Sequence, residues 1–279
     1  MTSAKMSSTM QIDQLTQKLS QTRKYQRLDP EVIHQAATRA GALSQNPYEI
    51  DRKARNILHQ VWSSSYSKAP NFLKQYQLLA RSLHAADFSN DCLVPILSLH
   101  SSTRERLSIA HDFYAQIFKI TGTPDSLIDH ACGLNPIMFP WMNLPTQTKY
   151  FANDIDQKGL QFLSKVISLF SRRGISAPQF HFAQRNILGS VQQSAQVALL
   201  LKCLPTFEHL YPGLWQQILK KQHAQYKVVS FAIKSSSRYR KYAARTFSGH
   251  FEASLVHASL PYQKIIFPNE LVYILKSSD

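Results

Sequence analysis

The sequence predicts an α/β protein: a helical N-terminal region, then a doubly wound, mainly parallel sheet closed by an antiparallel hairpin. Four observations predict it. Beyond residue 124, short apolar runs alternate with segments of helical periodicity, the order of a parallel sheet with crossover helices. The first run leads into Asp125–Met142, D-S-L-I-D-H-A-C-G-L-N-P-I-M-F-P-W-M, where a Gly-containing turn hands over to a Pro-started helix. Roughly twenty residues on, Tyr150-Phe151-Ala152 ends in Asn153-Asp154-Ile155-Asp156, an acidic strand tip placed to bind the hydroxyls of a ribose. Near the C-terminus, Phe251–Ser259 and Lys264–Lys276 are apolar runs joined by Leu260-Pro261-Tyr262-Gln263, too short for a crossover helix, so they are expected to pair antiparallel.

Each element has a local reason. The first ten residues have no apolar core of a signal peptide and read as a frayed tail. Asp29-Pro30-Glu31 is an N-cap followed by Pro and opens Val32–Ala40, which Gly41 can close. Asn46-Pro47 opens a helix with Ile50, Ala54, Ile57, Leu58 and Val61 on one stripe, and Ala69-Pro70 another with Phe72, Leu73, Tyr76, Leu79 and Leu83. Ser102–Glu105 fits a capping box ahead of Leu107–Ile120, and Thr121–Pro124 is a turn. Strands are expected at Leu127–Ala131, Tyr150–Asn153, Gln179–Ala183, Val197–Leu201 and Val228–Ile233, with helices at Lys158–Phe170 and Phe207–Leu219 between them. The expected division is a helical N-terminal domain over 1–100 and the sheet domain over 101–279.

Composition narrows the function. The 279 residues carry 32 Lys+Arg against 17 Asp+Glu, a formal charge of +15. Such a charge favours a polyanionic partner, nucleic acid before a membrane surface. Arg23, Lys24 and Arg27, then Arg52, Lys53 and Arg55, cluster on the helical region, suited either to a phosphate backbone or to a solubilising face. The three cysteines are scattered with no C-x-x-C pair, so reduced thiols in a cytosolic protein are expected, with neither zinc site nor disulfide framework. No apolar run reaches the roughly 18 residues a membrane helix needs.

A parallel sheet ending in a hairpin is the Rossmann-like layout of class I S-adenosylmethionine-dependent methyltransferases rather than of NAD dehydrogenases. The residues agree. D-H-A-C-G-L-N-P-I-M-F-P-W-M from Asp129, A-N-D-I-D from Ala152, L-L-L-K-C-L-P-T-F-E from Leu199 and N-E-L-V-Y-I-L-K from Asn269 together resemble the aminoglycoside-resistance 16S ribosomal RNA methyltransferases. That family methylates N7 of guanine 1405 and carries a helical domain ahead of the methyltransferase fold. The resemblance implies S-adenosyl-L-methionine as cofactor, 16S rRNA in the 30S subunit as substrate, and aminoglycoside resistance as the outcome; a cytoplasmic protein is expected, with a monomer the default for an enzyme that docks on a particle. It implies that Arg106 grips the methionine carboxylate, with Arg104 as the neighbouring rival and a helix-surface arginine as the bland alternative. It places Ala131 and Gly133 at the cofactor turn, Asp154 on the ribose, and Asn186 and Ile187 by the adenine. Lys202, Cys203 and Leu204 then form the wall after the fourth strand, with Glu208 following. Glu270 matches a family acidic residue and is expected to orient basic neighbours rather than react.

Three departures matter. Ala131 stands where the family usually has a second glycine, and Asn186 where it has an Asp. The segment Phe231-Ala232-Ile233-Lys234-Ser235 replaces F-P-T-K-S, in the region that forms the target-base pocket in the family, so Lys234 and Ser235, with Glu270, make up the target-base region. No catalytic acid or base is expected, because guanine N7 is already a lone-pair nucleophile. None of the 11 histidines is nominated, His130 included. The stretch Leu219–Arg245 holds Lys220, Lys221, Lys227, Lys234, Arg238, Arg240, Lys241 and Arg245 with no acid, interleaved with Tyr226, Tyr239 and Tyr242, a pattern suited to RNA. Three alternatives stay open: a same-fold enzyme for another RNA position, a small-molecule methyltransferase, and a non-catalytic cofactor- or RNA-binding relative.

Overall fold

A computed structural model describes residues 2–62, 66, 70–83, 88–187, 189, 193–208, 213–233 and 238–277; for 2–9, 208 and 238–246 it describes the backbone alone. Among the described residues seven α-helices come first: α1 (Thr2–Ser20), α2 (Pro30–Ala42), α3 (Pro47–Trp62), α4 (Phe72–Ser82), α5 (Val94–Leu97), α6 (Ser101–Arg106) and α7 (Ala110–Thr121). The alternating part follows as β1 (Ser126–His130), α8 (Phe139–Met142), β2 (Lys149–Asp154), α9 (Gln157–Arg172), β3 (Gln179–Gln184) and β4 (Ala195–Leu201). It continues through α10 (Leu204–Glu208), α11 (Leu214–Lys221), β5 (Ala224–Ala232), α12 (Arg238–His257), β6 (Tyr262–Ile266) and β7 (Glu270–Lys276). The strands lie in the order β3-β2-β1-β4-β5-β7-β6. The first five are parallel; β7 runs antiparallel to β5, and β6 to β7. The order reverses between β1 and β4, so their C-terminal ends open the crevice where such sheets bind ligands.

Strand alternation divides the core in two. Leu127, Val197, Leu199 and Val228 face one layer, with Phe113 and Ile117 of α7, Leu163 and Phe170 of α9, and Leu79 of α4. Ile128, Ala198, Leu200 and Val229 face the other, with Ile33 and Ala36 of α2, Ala54 and Leu58 of α3, Ile218 of α11 and Phe251 of α12. Helices from before residue 100 thus cover both faces of the sheet. The central strand β4 is buried throughout save Gln196, as its unbroken apolar run requires.

Several sequence expectations are corrected. The tail is helical from Thr2 to Ser20, with Ile12 and Leu19 buried on the second layer. Gly41 lies inside α2 rather than closing it; a Cβ there would come within 2.7 Å of Ile12 Cδ1, so glycine lets α1 cross closely. The third helix opens at Asn71, whose Oδ1 accepts the Lys74 N–H at 3.0 Å. Ser102–Glu105 is no capping box, because α6 already starts at Ser101 and Arg106 ends it. The region Phe207–Leu219 splits into α10 and α11, with 209–212 outside the described residues. Phe251–Ser259 is not a strand. Phe251 and Leu255 are a buried i, i+4 stripe of α12, and Val256 is exposed. The hairpin instead comes from Tyr262–Lys276, the second run with Tyr262-Gln263 of the expected connection, broken at Phe267-Pro268-Asn269, where the Phe267 N–H donates to the Glu270 carbonyl at 2.9 Å.

Candidate active site

The turn after β1 is built from left-handed backbone: φ is 50° at Ala131 and 51° at Gly133. Glycine takes this conformation freely; for Ala131 it costs about 1–2 kcal/mol. The Gly133 N–H donates to Asp154 Oδ2 at 2.9 Å, and the Asp156 N–H donates to Asp154 Oδ1 at 2.9 Å. Asp154 therefore stands half-buried at the end of β2 with both oxygens held by backbone. Burial first, then the negative charge of Asp156, pushes its pKa up to about 6. His100 closes over the same turn, since a Cβ on Gly133 would lie 2.7 Å from its Nε2. Burial lowers the His100 pKa to about 3, so the ring is neutral, and its buried Nδ1 has no hydrogen-bond partner among the described residues. Tyr66 packs edge-on to it at 5.1 Å.

On the far side of the switch point lies a buried ionic network. Lys202, just past β4, also has positive φ (57°), and its N–H donates to the Ser230 carbonyl and Oγ, each at 3.1 Å. Its Nζ lies 3.0 Å from Glu105 Oε2 and 3.1 Å from Glu270 Oε2. Glu270, fully buried at the start of β7, accepts Arg106 Nη2 at 2.7 Å, Arg106 Nε at 3.2 Å and Ser230 Oγ at 2.6 Å. Burial pushes the Glu270 carboxyl up, but the charges of Arg106 and Lys202 outweigh it and hold the pKa below its ordinary value. Arg106 Nη1 donates to Asn135 Oδ1 at 2.9 Å, and the guanidinium lies 4.6 Å from the Phe113 ring centre. Asn135 Nδ2 and the Tyr150 hydroxyl both donate to Asp129 Oδ2, at 2.9 and 2.7 Å. Burial raises the Asp129 pKa to about 6. Buried ions persist only when each is met this fully.

The predicted site residues divide. Asp154, Gly133 and Ala131 meet at one turn, and Lys202, Glu270 and Arg106 at one network. Arg106 is fully buried and faces Glu270 and Asn135, whereas Arg104 sits at the exposed end of α6 with an Nη1–Ser98 carbonyl contact of 3.4 Å. Asn186 is buried and donates to Gln35 Oε1 of α2 at 3.2 Å, beside buried Ile187. Cys203 and Leu204 are buried at the start of α10, and burial pushes the Cys203 thiol far up, so it is no nucleophile. His130 is buried, with its pKa lowered to about 4 by burial, so it too is neutral. Among the described residues no cluster is arranged to hold a metal.

The basic candidates part ways as well. Arg23, Lys24 and Arg52 are exposed, Lys53 is half-buried, and Arg55 pairs with Asp51 one turn back at 2.9 Å. Arg27 is corrected from an RNA ligand to an internal ion pair: only 10% of its side chain is exposed, and it grips Asp156. Arg238, Arg240, Lys241 and Arg245 lie on α12, after the C-terminal end of β5. Lys234 and Ser235 lie outside the described residues. Lys220 and Lys221 end α11 ahead of β5, so the basic run spans opposite ends of that strand rather than one face. The sequence reading missed Asp156, Asn135, Ser230 and Tyr114, whose buried hydroxyl donates to Asn135 Oδ1 at 2.6 Å. A hydroxyl inside the apolar run Val228-Val229-Ser230-Phe231 was the available signal for Ser230.

A family model described as ribosomal RNA methyltransferase (FmrO) matches residues 21–274. A 16S rRNA (guanine(1405)-N(7))-methyltransferase of Frankia casuarinae is 31% identical over 275 residues, covering 95% of this chain and 93% of that protein. One from Micromonospora echinospora is 31% identical over 274 residues, covering 95% and 96%. Among solved structures, the 16S rRNA methylase RmtB superposes with a TM-score of 0.73 at 26% identity over 96% of this chain and 98% of its own. The methyltransferase RmtF, solved with S-adenosyl-L-homocysteine, shares the fold at a TM-score of 0.76 and 24% identity, covering 96% and 98%. The match spans both the helical region and the sheet, and the chain belongs to the FmrO family of ribosomal RNA methyltransferases.

Proposed function

We propose that the protein transfers a methyl group from S-adenosyl-L-methionine to N7 of guanine 1405 of 16S rRNA in the 30S subunit, protecting cytoplasmic ribosomes against aminoglycosides. The observation that carries this is the Asp154 carboxylate, held by the Gly133 and Asp156 N–H groups at the switch point of a chain matched over 95% of its length by enzymes of that name. The site fits an adenosyl group. Asp154 keeps acceptor capacity for the two hydroxyls of a ribose, and the Nε2 edge of the neutral His100 ring faces the same turn.

When bound, S-adenosylmethionine supplies a methyl group activated by its positive sulfur. Asp154 holds the ribose, and Gly133 lets backbone approach it. Asn186 and Ile187 frame the adenine; Lys202, Cys203 and Leu204 form the opposite wall. Arg106, its plane fixed by Glu270 and Asn135, would offer its remaining Nη1–H to the methionine carboxylate. Guanine N7 needs no proton removed, so no residue acts as base. The protein's work is to align the acceptor and exclude water. The base must leave its stack to enter the crevice, and Lys234 and Ser235 follow the β5 end that borders it. Residues 1–100 form the docking part, with Arg23, Lys24, Arg52, Lys53 and Arg55 toward the particle; 101–279 carry the chemistry, with Arg238, Arg240, Lys241 and Arg245 of α12 beside the crevice. The protein acts as a monomer.

Primer extension on 30S subunits after incubation with protein and cofactor tests the reading, with N7 methylation at position 1405 expected. Modification at another nucleotide would move the target; no modification of the decoding region would refute the proposal.

A further inference from the structure

The segment between α1 and α2 crosses the ends of β2 and β3 and is stitched to them. Leu28 forms a bridge with Asp156, and the Asp29 N–H donates to the Ile155 carbonyl at 3.0 Å. The Arg27 carbonyl accepts the Gln157 N–H at 3.0 Å and Gln184 Nε2 at 3.3 Å. Its guanidinium grips Asp156 with both arms, Nε to Oδ1 at 2.6 Å and Nη2 to Oδ2, and lies 5.1 Å from the Trp62 ring centre and 5.7 Å from that of Phe72. Trp62 Nε1–H adds a bond to Asp156 Oδ2 at 3.1 Å. Asp156 Oδ1 also accepts the Lys158 and Gly159 N–H groups at 3.1 and 3.2 Å, capping α9. The Asp156 carbonyl accepts the Leu160 N–H at 3.0 Å, and the Asp156 N–H donates to Asp154 Oδ1.

We infer that Arg27 is a positioning residue for the cofactor site: by clamping and neutralising Asp156 it sets the orientation and the charge of the Asp154 carboxylate. The inference rests on Asp154 holding the ribose. Two effects follow. The forked pairing fixes Asp156, and through its N–H the direction of Asp154. The carboxylates facing Asp154 are Asp156 and Asp129, and the Cys132 thiol and Tyr66 phenol also lie near it. Arg27 is the cation paired with Asp156, the nearest of these charges. Removing it leaves an unbalanced anion two residues away, which drives Asp154 toward its neutral form. A second N-terminal side chain acts on the same side, since Gln35 of α2 holds the Asn186 amide. The helical region thereby reaches the cofactor pocket as well as the outer surface.

The test is calorimetric titration with S-adenosylhomocysteine from about pH 5 to 8, alongside thermal melts and 30S binding without cofactor. Arg27→Met keeps the aliphatic stem and removes the fork. It should weaken S-adenosylhomocysteine at least tenfold and raise the midpoint of the pH–affinity curve by about half a unit or more. Trp62→Phe, a milder change that deletes one donor to Asp156, should move both in the same direction by less. A lower melting temperature with unchanged affinity and midpoint would overturn the inference in favour of a purely structural pair. Weaker 30S binding with unchanged affinity for S-adenosylhomocysteine would overturn it in favour of an RNA contact. Undiminished binding by Asp154→Ala would instead overturn the ribose reading beneath it.

Discussion

Glu270→Gln is the sharpest probe of the ionic network. Oε1 of Glu270 receives Arg106 Nη2 and Ser230 Oγ, and Oε2 receives Arg106 Nε and Lys202 Nζ. An amide keeps one acceptor and turns the other into a donor facing donors. Either orientation leaves Arg106, 0% exposed, half unpaired. Breaking a fully buried ion pair costs about 3–5 kcal/mol. For a chain of this size that is a fall of about 10 °C in melting temperature. Urea denaturation at neutral pH measures it, and a cycle with Arg106→Met should return a coupling of about 2–3 kcal/mol. The sign with pH follows from the depressed Glu270 pKa. Its contribution is present above its ordinary value of 4.5 and lost as pH falls through the lower folded value, so parent and variant should converge in acid. A Glu270→Gln variant within about 0.5 kcal/mol of the parent at neutral pH would refute the argument.

Other residues give further expectations. Gly133→Ala meets both a φ of 51° and a contact of 2.7 Å with His100 Nε2, so it should cost about 2 kcal/mol or more in a melt; adding His100→Ala should recover the contact part alone. Asp129 has a folded pKa of about 6 against 3.8, so its stabilising contribution is complete below the lower value and lost as pH rises through the upper. Asp129→Asn should therefore flatten the fall in unfolding free energy across that window by about 1–3 kcal/mol in a pH series of denaturant titrations. Lys241→Glu should weaken 30S binding and lower its salt dependence while leaving S-adenosylhomocysteine affinity unchanged, as filter binding at several salt concentrations would measure.

The alternating half was legible because its signals are local. The parallel strands announce themselves as apolar runs or, at the β3 edge, as the alternation Q-F-H-F-A-Q, and Asp154 and Gly133 sit where a strand tip and a turn were expected. The C-terminal hairpin misled because Phe251 and Leu255 satisfy both a strand's hydrophobicity and a helix's spacing, and only packing against Phe231 and Tyr273 decides. Arg27 was misread for a related reason. A charged side chain looks the same in sequence whether it meets solvent or an acid 129 residues away. The Arg106–Glu270–Lys202 network was half visible. The residues were named, but not that Arg106 points first at Glu270, because that depends on a long-range register between α6, β4 and β7.

The shared cores set a timetable for synthesis. The apolar stripes of α2 and α3 are complete by residue 62, yet the strand faces they cover, Ala198, Leu200 and Val229, emerge more than a hundred residues later. At ribosomal rates that gap is on the order of ten seconds. During it, Ile33, Ala36, Ala54 and Leu58 can bury only against the neighbouring helices, Ile12 and Leu19 of α1 among them, and then against Ile128 of β1. A chain whose first helices wait for its last strands folds late and through many long-range contacts, which slows the search and lengthens the exposure of sticky surface. Its yield in a cell should therefore respond to chaperone supply more steeply than its equilibrium stability suggests.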